Sequence, residues 1–580
     1  MKQAHKKSAK ARAQARLARN TGLLALAVAA TLPCRMAQAY EFETGSDLKV
    51  SWNNTIKYSG AYRLKDADPG LLAGGYRSAG PNDFTGLNLD DGNQNFRKKG
   101  IVSNRVDWLS ELDISTHNMG MRVSGAAWYD TIYNRSNDNA SAASNAAGLA
   151  GVANNEFTAG TRRLHGRDAE LLDAFVYAKG TIGSLPGTVR LGRHTLQYGE
   201  SLFFGANGIA AAQGPVDLVK LLSVPGAQFK EILRPVNQIS GQLQLAPTVS
   251  LGAYYQFDWK ASIIPGVGSY LSSYDAAGAG ASAFLVAPVG SGAPAFITQR
   301  DLKAKDSGQG GVQLRIAPVG LDIEFGLYAA RYHDKGANYY LGFSPAFPPG
   351  APATVQAVYA EGIKTYGASA STVLGGVNVA LEASIRRNNP LVSGPVPNFM
   401  SARGTGIIAN NSDNPAYAVG NSAHVNLSAV YVMPTNSLFE GGALLGELAW
   451  NRRLSVTHQG SLDVNTTRDA SAIRIAFEPA YYQVVSGLDL TVPIGIGYNL
   501  DGRSSTVFNF NGGAEHGGDL SIGLSGSYQQ DWKFGISYVR YLGRSGTFLT
   551  NNPAASAPML SYNQPLKDRN YIAFNLKRAF

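Results

Sequence analysis

The chain has one cysteine in 580 residues, Cys34. That excludes a disulfide framework and a thiolate metal cluster. Its eight histidines are scattered, with none at zinc-ligand spacing. Neither a G-x-S-x-G nucleophile elbow nor a phosphate loop is present. His194, Glu200 and Ser201 can be drawn as a triad, but strand parity and spacing do not bring them together. Enzyme activity, a metal site and a cofactor are therefore not expected. Asp90-Asp91-Gly92-Asn93 has the opening of a calcium loop but lacks its later glutamate, which favours an external turn. No mature segment has the roughly 20 consecutive apolar residues of a membrane-spanning helix.

The formal charge of +10 is also less than it looks. Lys2, Lys6, Lys7, Lys10, Arg12, Arg16 and Arg19 precede a short apolar run, Leu23 to Leu32, and Ala37-Gln38-Ala39 fits small-x-small cleavage. Residues 1–39 therefore read as a secretory signal. With Arg35 it holds eight basic residues. Its removal leaves 43 basic against 41 acidic residues, about +2, and no cysteine. A nucleic-acid partner is not expected.

What the mature chain has is period-two alternation. From Gln238, Ile239, Gly241, Leu243 and Leu245 share one face, and Gln238, Ser240, Gln242 and Gln244 the other. After the Ala246-Pro247-Thr248 turn, Val249, Leu251, Ala253, Tyr255, Phe257 and Trp259 return on one face. Side chains alternate across a strand, so this hairpin is apolar on one side only. Similar strands start near Leu48, Ile101, Met119, Leu171, Thr188, Asn237, Val249, Gly311, Leu321, Glu361, Gly376, Ala423, Ala443, Ala470, Leu488, Asp519, Trp532 and Arg569. Their connections alternate between short and long. That rhythm predicts an all-β transmembrane antiparallel barrel of about 18 strands, within roughly 16–18, with long external loops and both termini in the periplasm. Tyr58, Tyr62, Trp259, Tyr498, Trp532, Tyr538 and Tyr541 are expected near the membrane interfaces. The alternating last strand ends on Phe580, the form of an outer-membrane assembly signal read by the barrel-assembly machinery. Outer-membrane lipid and lipopolysaccharide of a Gram-negative bacterium are the expected surroundings.

If the apolar faces meet lipid, the other faces line the lumen. Glu382, Arg386 and Glu447 belong there, with Lys49, Lys57, Arg63, Asp322, Glu324, Arg474 and Glu478. Most are expected to solvate a wet wall. Two long connections are too apolar for solvated loops. Residues 198–236 carry Phe203-Phe204, Ile209 and Leu221-Leu222 and form a candidate plug or constriction. Residues 260–310, with Ile263-Ile264 and Phe284-Leu285-Val286, form a candidate cap.

Arg190-Leu191-Gly192-Arg193-His194, Tyr198-Gly199-Glu200-Ser201, Gly208-Ile209, Pro215-Val216-Asp217, Pro225-Gly226 and Glu231-Ile232-Leu233-Arg234-Pro235 occur in order. Asp91 to Phe96, Glu170 to Phe175, Tyr359 to Ile363, Gly487 to Pro493 and Asp568-Arg569-Asn570 continue the set. Together they resemble the proteobacterial family catalogued as domain of unknown function thirteen-oh-two, over essentially all of Tyr40 to Phe580. The chain departs at Tyr198, where the family often has Trp, and at Ala212-Gln213-Gly214, where it often has Asn. The resemblance implies an outer-membrane barrel. It also implies, by analogy, a companion role to pathways that handle hydrophobic compounds such as steroids or lipids.

The leading expectation is a channel or transporter for a hydrophobic or amphipathic small molecule. Its pore or plug candidates are Arg190, Arg193, Glu200, Asp217, Glu231 and Arg234, as ion pairs between loop and wall. The alternative is a surface structural or adhesive barrel acting through its Asn-, Gly- and Ser-rich loops.

Overall fold

The computed structural model describes residues 40–43, 47–72, 85–141, 144–147, 149–227, 229–285, 295–343, 353–399, 409–550 and 558–580. The secretory-signal segment 1–39, with Cys34, lies outside the described residues, as do residues 286–294 of the cap segment.

Eighteen antiparallel strands among the described residues close into one barrel. They are β1 (Lys49–Arg63), β2 (Gly100–Ser115), β3 (Met119–Asp130), β4 (Arg167–Ile182), β5 (Leu185–His194) and β6 (Val236–Ala246). Next come β7 (Val249–Gln256), β8 (Gln309–Ile316), β9 (Ile323–Tyr332), β10 (Ile363–Leu374), β11 (Val377–Pro390) and β12 (Val419–Met433). The last six are β13 (Gly441–His458), β14 (Asp469–Val485), β15 (Leu488–Thr491 and Ile494–Gly502), β16 (Gly518–Tyr528), β17 (Trp532–Leu542) and β18 (Tyr571–Ala579). Pro493 interrupts β15, where a residue without an N–H cannot donate to the ladder. Each strand pairs with its sequence neighbours, and β18 pairs with both β17 and β1. Phe580 extends that closure: its N–H donates to Asn54 O at 2.9 Å, and Asn54 N–H returns to Phe580 O at 2.7 Å. Closure leaves no unpaired edge, which hydrocarbon would penalise.

Parity sorts the faces. Leu381, Ile385, Leu427, Leu444 and Leu448 are exposed on the outside, while Glu382, Arg386, Asn426 and Glu447 are buried inside. The apolar exterior suits lipid, which cannot hydrogen-bond, and the backbone ladders pair each strand of the wall with its neighbours. Trp52, Trp108, Tyr129, Tyr255, Tyr366, Tyr482 and Tyr528 are exposed aromatics. Tyr62 joins them, while Tyr58, Tyr498, Trp532 and Tyr538 are half-buried and the other two expected interfacial aromatics are buried. Trp259 is buried against Tyr359, ring centroids 4.6 Å apart, and its indole N–H donates to Asp334 O at 3.1 Å. Tyr541 is buried with Phe96, Tyr133 and Tyr270. Trp259 lies just past the end of β7, within the long connection that covers it, whereas Tyr541 faces inward, opposite Asp519 and away from the exposed Ile536.

Those long connections build secondary structure of their own. Ala283–Phe284, Phe296–Thr298, Asn338–Phe343, Ala353–Val358 and Val396–Phe399 form a five-stranded sheet drawn from three of them. The rim beneath is tied by buried charge. Arg63 donates to Asp568 Oδ2 at 2.7 Å and to Phe96 O at 2.7 Å, with no side-chain exposure. No described helix is long and apolar enough to cross a membrane.

Candidate functional site

The connection between β5 and β6 does not leave the barrel as a solvated loop. Its backbone is hydrogen-bonded to side chains that the neighbouring strands point inward. Glu382 on β11 takes two amides: Glu200 N–H donates to Oε2 and Ile209 N–H to Oε1, both at 2.6 Å. Glu447 on β13 takes three. Leu202 N–H donates to Oε2 at 3.2 Å and Phe204 N–H at 2.9 Å, with Phe203 N–H between them. Ser201 Oγ donates to Oε1 at 2.9 Å. Arg386 supplies the opposite charge: its Nη2 donates to the carbonyls of Ala206, Asn207 and Gly208 at 2.8–2.9 Å. Asn207 Nδ2 donates to Asn426 Oδ1 at 2.7 Å, and His424 Nδ1 lies 3.0 Å from Asn207 Oδ1.

This corrects the expectation of a wet wall at these positions. Glu382 and Glu447 are only 2% and 1% exposed. A buried carboxylate is costly unless hydrogen-bonded, and here the amides replace the lost water. The close approach requires glycine. A Cβ on Gly208 would lie 2.6 Å from Glu382 Oε1. One on Gly199, whose φ is +95°, would meet Oε2 directly.

The rest of the segment touches most of the wall. Ile209 packs into the space left by Gly367 on β10. Gln256 on β7 donates to Gln213 O, and Tyr254 OH to Ala212 O at 3.3 Å. Lys335 Nζ reaches Ala212 O at 3.5 Å and His333 O at 3.0 Å, and burial pulls its ammonium down to about 7. Asp217 caps the short helix α1 (Leu218–Ser223), accepting from Lys220 N–H at 3.0 Å, as a short polar side chain does at a helix start. Burial nevertheless pushes its carboxyl upward. Lys220 pairs with Glu170 on β4, and Lys230 with Glu111 on β2. A Cβ on Gly226 would lie 2.8 Å from Asn575 Cγ on β18.

The sequence candidates fall into separate places. Glu200 ion-pairs with Arg315 on β8 at 3.1 Å; burial raises its carboxyl, and Arg315 opposes the shift. Arg190 is exposed on β5 over the Phe175 ring, between the outward Val189 and Leu191. Arg193 keeps a buried Nε without a hydrogen-bond partner. Arg234 donates to Ala261 O, and Glu231 is buried on α2 (Phe229–Ile232). Thus Glu200 meets the wall through Arg315, while Arg193 and Arg234 stand at the base of the segment. Periodicity marked Glu382, Arg386 and Glu447 as inward but could not show that they hold backbone amides and carbonyls. Asn207, Asn426 and Arg315 carry no sequence signal beyond inward parity or a place in a polar interruption of the apolar segment, and Gln213 is marked only by the departure from the family pattern. The two departures from the family pattern touch each other: Tyr198 N–H donates to Gln213 Oε1 at 3.2 Å.

Solved structures similar to this chain are outer-membrane proteins at low identity. OccAB4 of Acinetobacter baumannii is 9% identical with a TM-score of 0.41, covering 92% of this chain and 98% of that one. OccK2 (OpdF) of Pseudomonas aeruginosa, solved in complex with glucuronate, is 9% identical with a TM-score of 0.36, covering 92% and 98%. OmpT of Vibrio cholerae is 9% identical with a TM-score of 0.35, covering 92% and 99%. No curated protein matches the chain. A family model matches residues 20–580, nearly the whole length, and the chain belongs to that family, the proteins of unknown function DUF1302.

Proposed function

We propose that the protein is an outer-membrane channel or transporter for a hydrophobic or amphipathic small molecule, with residues 198–236 as its constriction. The observation that carries this reading is the contrast between the two sides of that segment. Toward the wall its backbone is held by Glu382, Arg386 and Glu447. Elsewhere it leaves Leu202, Phe203, Leu221 and Leu222 exposed. Exposed apolar surface costs about 25 cal/mol per Å², so an apolar solute that covers it gains that amount. In this reading the short turns and both termini face the periplasm, residues 260–310 cap the outer mouth, and Phe580 recruits the assembly machinery.

The double variant Leu202→Ser/Phe203→Ser is expected to lower uptake of an apolar solute several-fold in reconstituted vesicles. Potassium chloride conductance of the same protein is expected to hold or rise. Unchanged uptake of apolar and polar solutes alike contradicts the assignment and returns weight to the adhesive reading.

A further inference from the structure

A second buried polar site lies among the long connections, away from the segment between β5 and β6. Asp90 and Asp91 stand at the start of the short helix Asp91–Asn95, in the connection after β1. Asp275 comes from the connection after β7, 184 residues along the chain from Asp91. One carboxylate oxygen from each of the three lies within 4.8 Å of the others.

The backbone fixes this meeting independently of any ion. Asp275 N–H donates to Asn88 O at 2.8 Å. Asp91 N–H donates to Asp275 Oδ2 at 2.9 Å, and Asn145 N–H to Asp91 Oδ2 at 3.1 Å. Each of the two carboxylates thus spends one oxygen on holding the loops. The other oxygen, Oδ1 of Asp91 and Oδ1 of Asp275, is buried with no hydrogen-bond partner. Both side chains are more than nine-tenths buried, with residue exposures of 3% and 8%. Both residues line a small cavity with Asn88 and Asn145.

A protein cation does not resolve this. Arg569 is an electrostatic neighbour of Asp275, but its Nη1 donates to the carbonyls of Tyr270 and Ser272 and its Nε to Asn93 Oδ1. Two unpartnered buried carboxylate oxygens are expensive by any ordinary accounting. Hard oxygen donors that all lie within 4.8 Å of one another can share one calcium, whose ligands at roughly 2.3–2.6 Å stand at most roughly 4.6–5.2 Å apart. Magnesium holds its ligands at about 2.0–2.1 Å and prefers to keep its waters, which fits a small buried cavity poorly.

We propose that Asp90, Asp91 and Asp275 bind a calcium ion that clamps the connection after β1 to the connection after β7 over the barrel mouth. The third ligand arrives from a different loop, which is why the spacing of Asp90 to Asn93 alone does not show a complete calcium loop.

The test uses the full chain refolded in lipid-free detergent and stripped with EDTA. Calcium chloride is expected to bind at one ion per chain by isothermal titration. It is expected to raise Tm by several degrees, reversibly with EDTA, and magnesium chloride at the same concentration to give no comparable rise. Asp275→Asn, which keeps the side-chain shape, is expected to weaken calcium roughly tenfold or more. Asp91→Asn is expected to do the same, and serves if the first variant does not fold. The proposal is overturned if the wild type binds no stoichiometric calcium, if either folded variant binds as wild type does, or if magnesium acts equally. It is also overturned if acidification stabilises the protein while calcium adds nothing, because a shared proton would then be the occupant. Conductance plays no part in this readout, so its outcome is separable from that of the channel reading.

Discussion

Glu447→Ala is expected to raise conductance through the barrel. The substitution removes the acceptor for the amides of Leu202, Phe203 and Phe204, for Ser201 Oγ, and for Asn426 Nδ2 at 2.8 Å. Asn426 keeps other contacts, but among the described residues the three amides have no acceptor besides Glu447. A buried donor left unsatisfied costs about 1–3 kcal/mol, so three bring the loss to roughly 3–6 kcal/mol after partial rehydration. Each 1.4 kcal/mol is about a tenfold change in population, so the segment should leave the wall for much of the time. Single-channel conductance in potassium chloride is expected to rise several-fold, with larger fluctuations. Glu447→Gln keeps one acceptor but turns an NH₂ toward amide donors, so an intermediate rise is expected. A rise for Gln that equals or exceeds the rise for Ala would contradict the hydrogen-bond account.

Arg386→Ala is the second large effect, acting on the same segment with the opposite polarity. One guanidinium nitrogen collects three successive carbonyls, those of Ala206, Asn207 and Gly208. A carbonyl is cheaper to orphan than a charge, and a water can enter the space of the missing side chain. The expected loss is therefore about 2–4 kcal/mol. Hydrogen exchange reads it directly: amides from Leu202 to Ile209 should exchange roughly 30- to 1,000-fold faster, while β11 and β12 hold their protection. Arg386→Lys is expected to restore part of the protection, because an ammonium carries the charge but lacks the planar reach of the guanidinium. Equal exchange in wild type and Arg386→Ala would mean that these carbonyl contacts do not hold the segment.

The barrel itself was legible because its physics is local. Ile239, Leu243 and Leu251 alternate with glutamine, serine and glycine, and the short and long connections sort themselves to two ends. Both signals survive in a single sequence, and the eighteen strand starts fall within a few residues of those observed. Trp259 has the parity of a girdle residue, but loops distant in sequence cover it. Tyr541 lies opposite Asp519, on the face away from the exposed Ile536, and is buried inside with Phe96, Tyr133 and Tyr270.

The site was harder to read because its partners are distant and aperiodic. Glu382 and Glu447 announce an inward face, yet their donors lie 173 to 246 residues away along the chain. A backbone amide carries no residue-specific mark. Gly199 and Gly208 do carry one, since only a residue without a Cβ fits against Glu382. In the sequence they are indistinguishable from turn glycines. The Asp91 and Asp275 meeting is hidden in the same way, by 184 residues.

If the segment after β5 is the constriction proposed above, it sits in the path of the solute. The most direct measurement replaces Gly199–Gly214 with a short Gly-Ser linker and records single-channel conductance of the refolded barrel in a planar bilayer. The expected result is a large, steady conductance, with discrimination between apolar and polar solutes lost. A correctly folded barrel with unchanged conductance and unchanged selectivity would contradict that proposal.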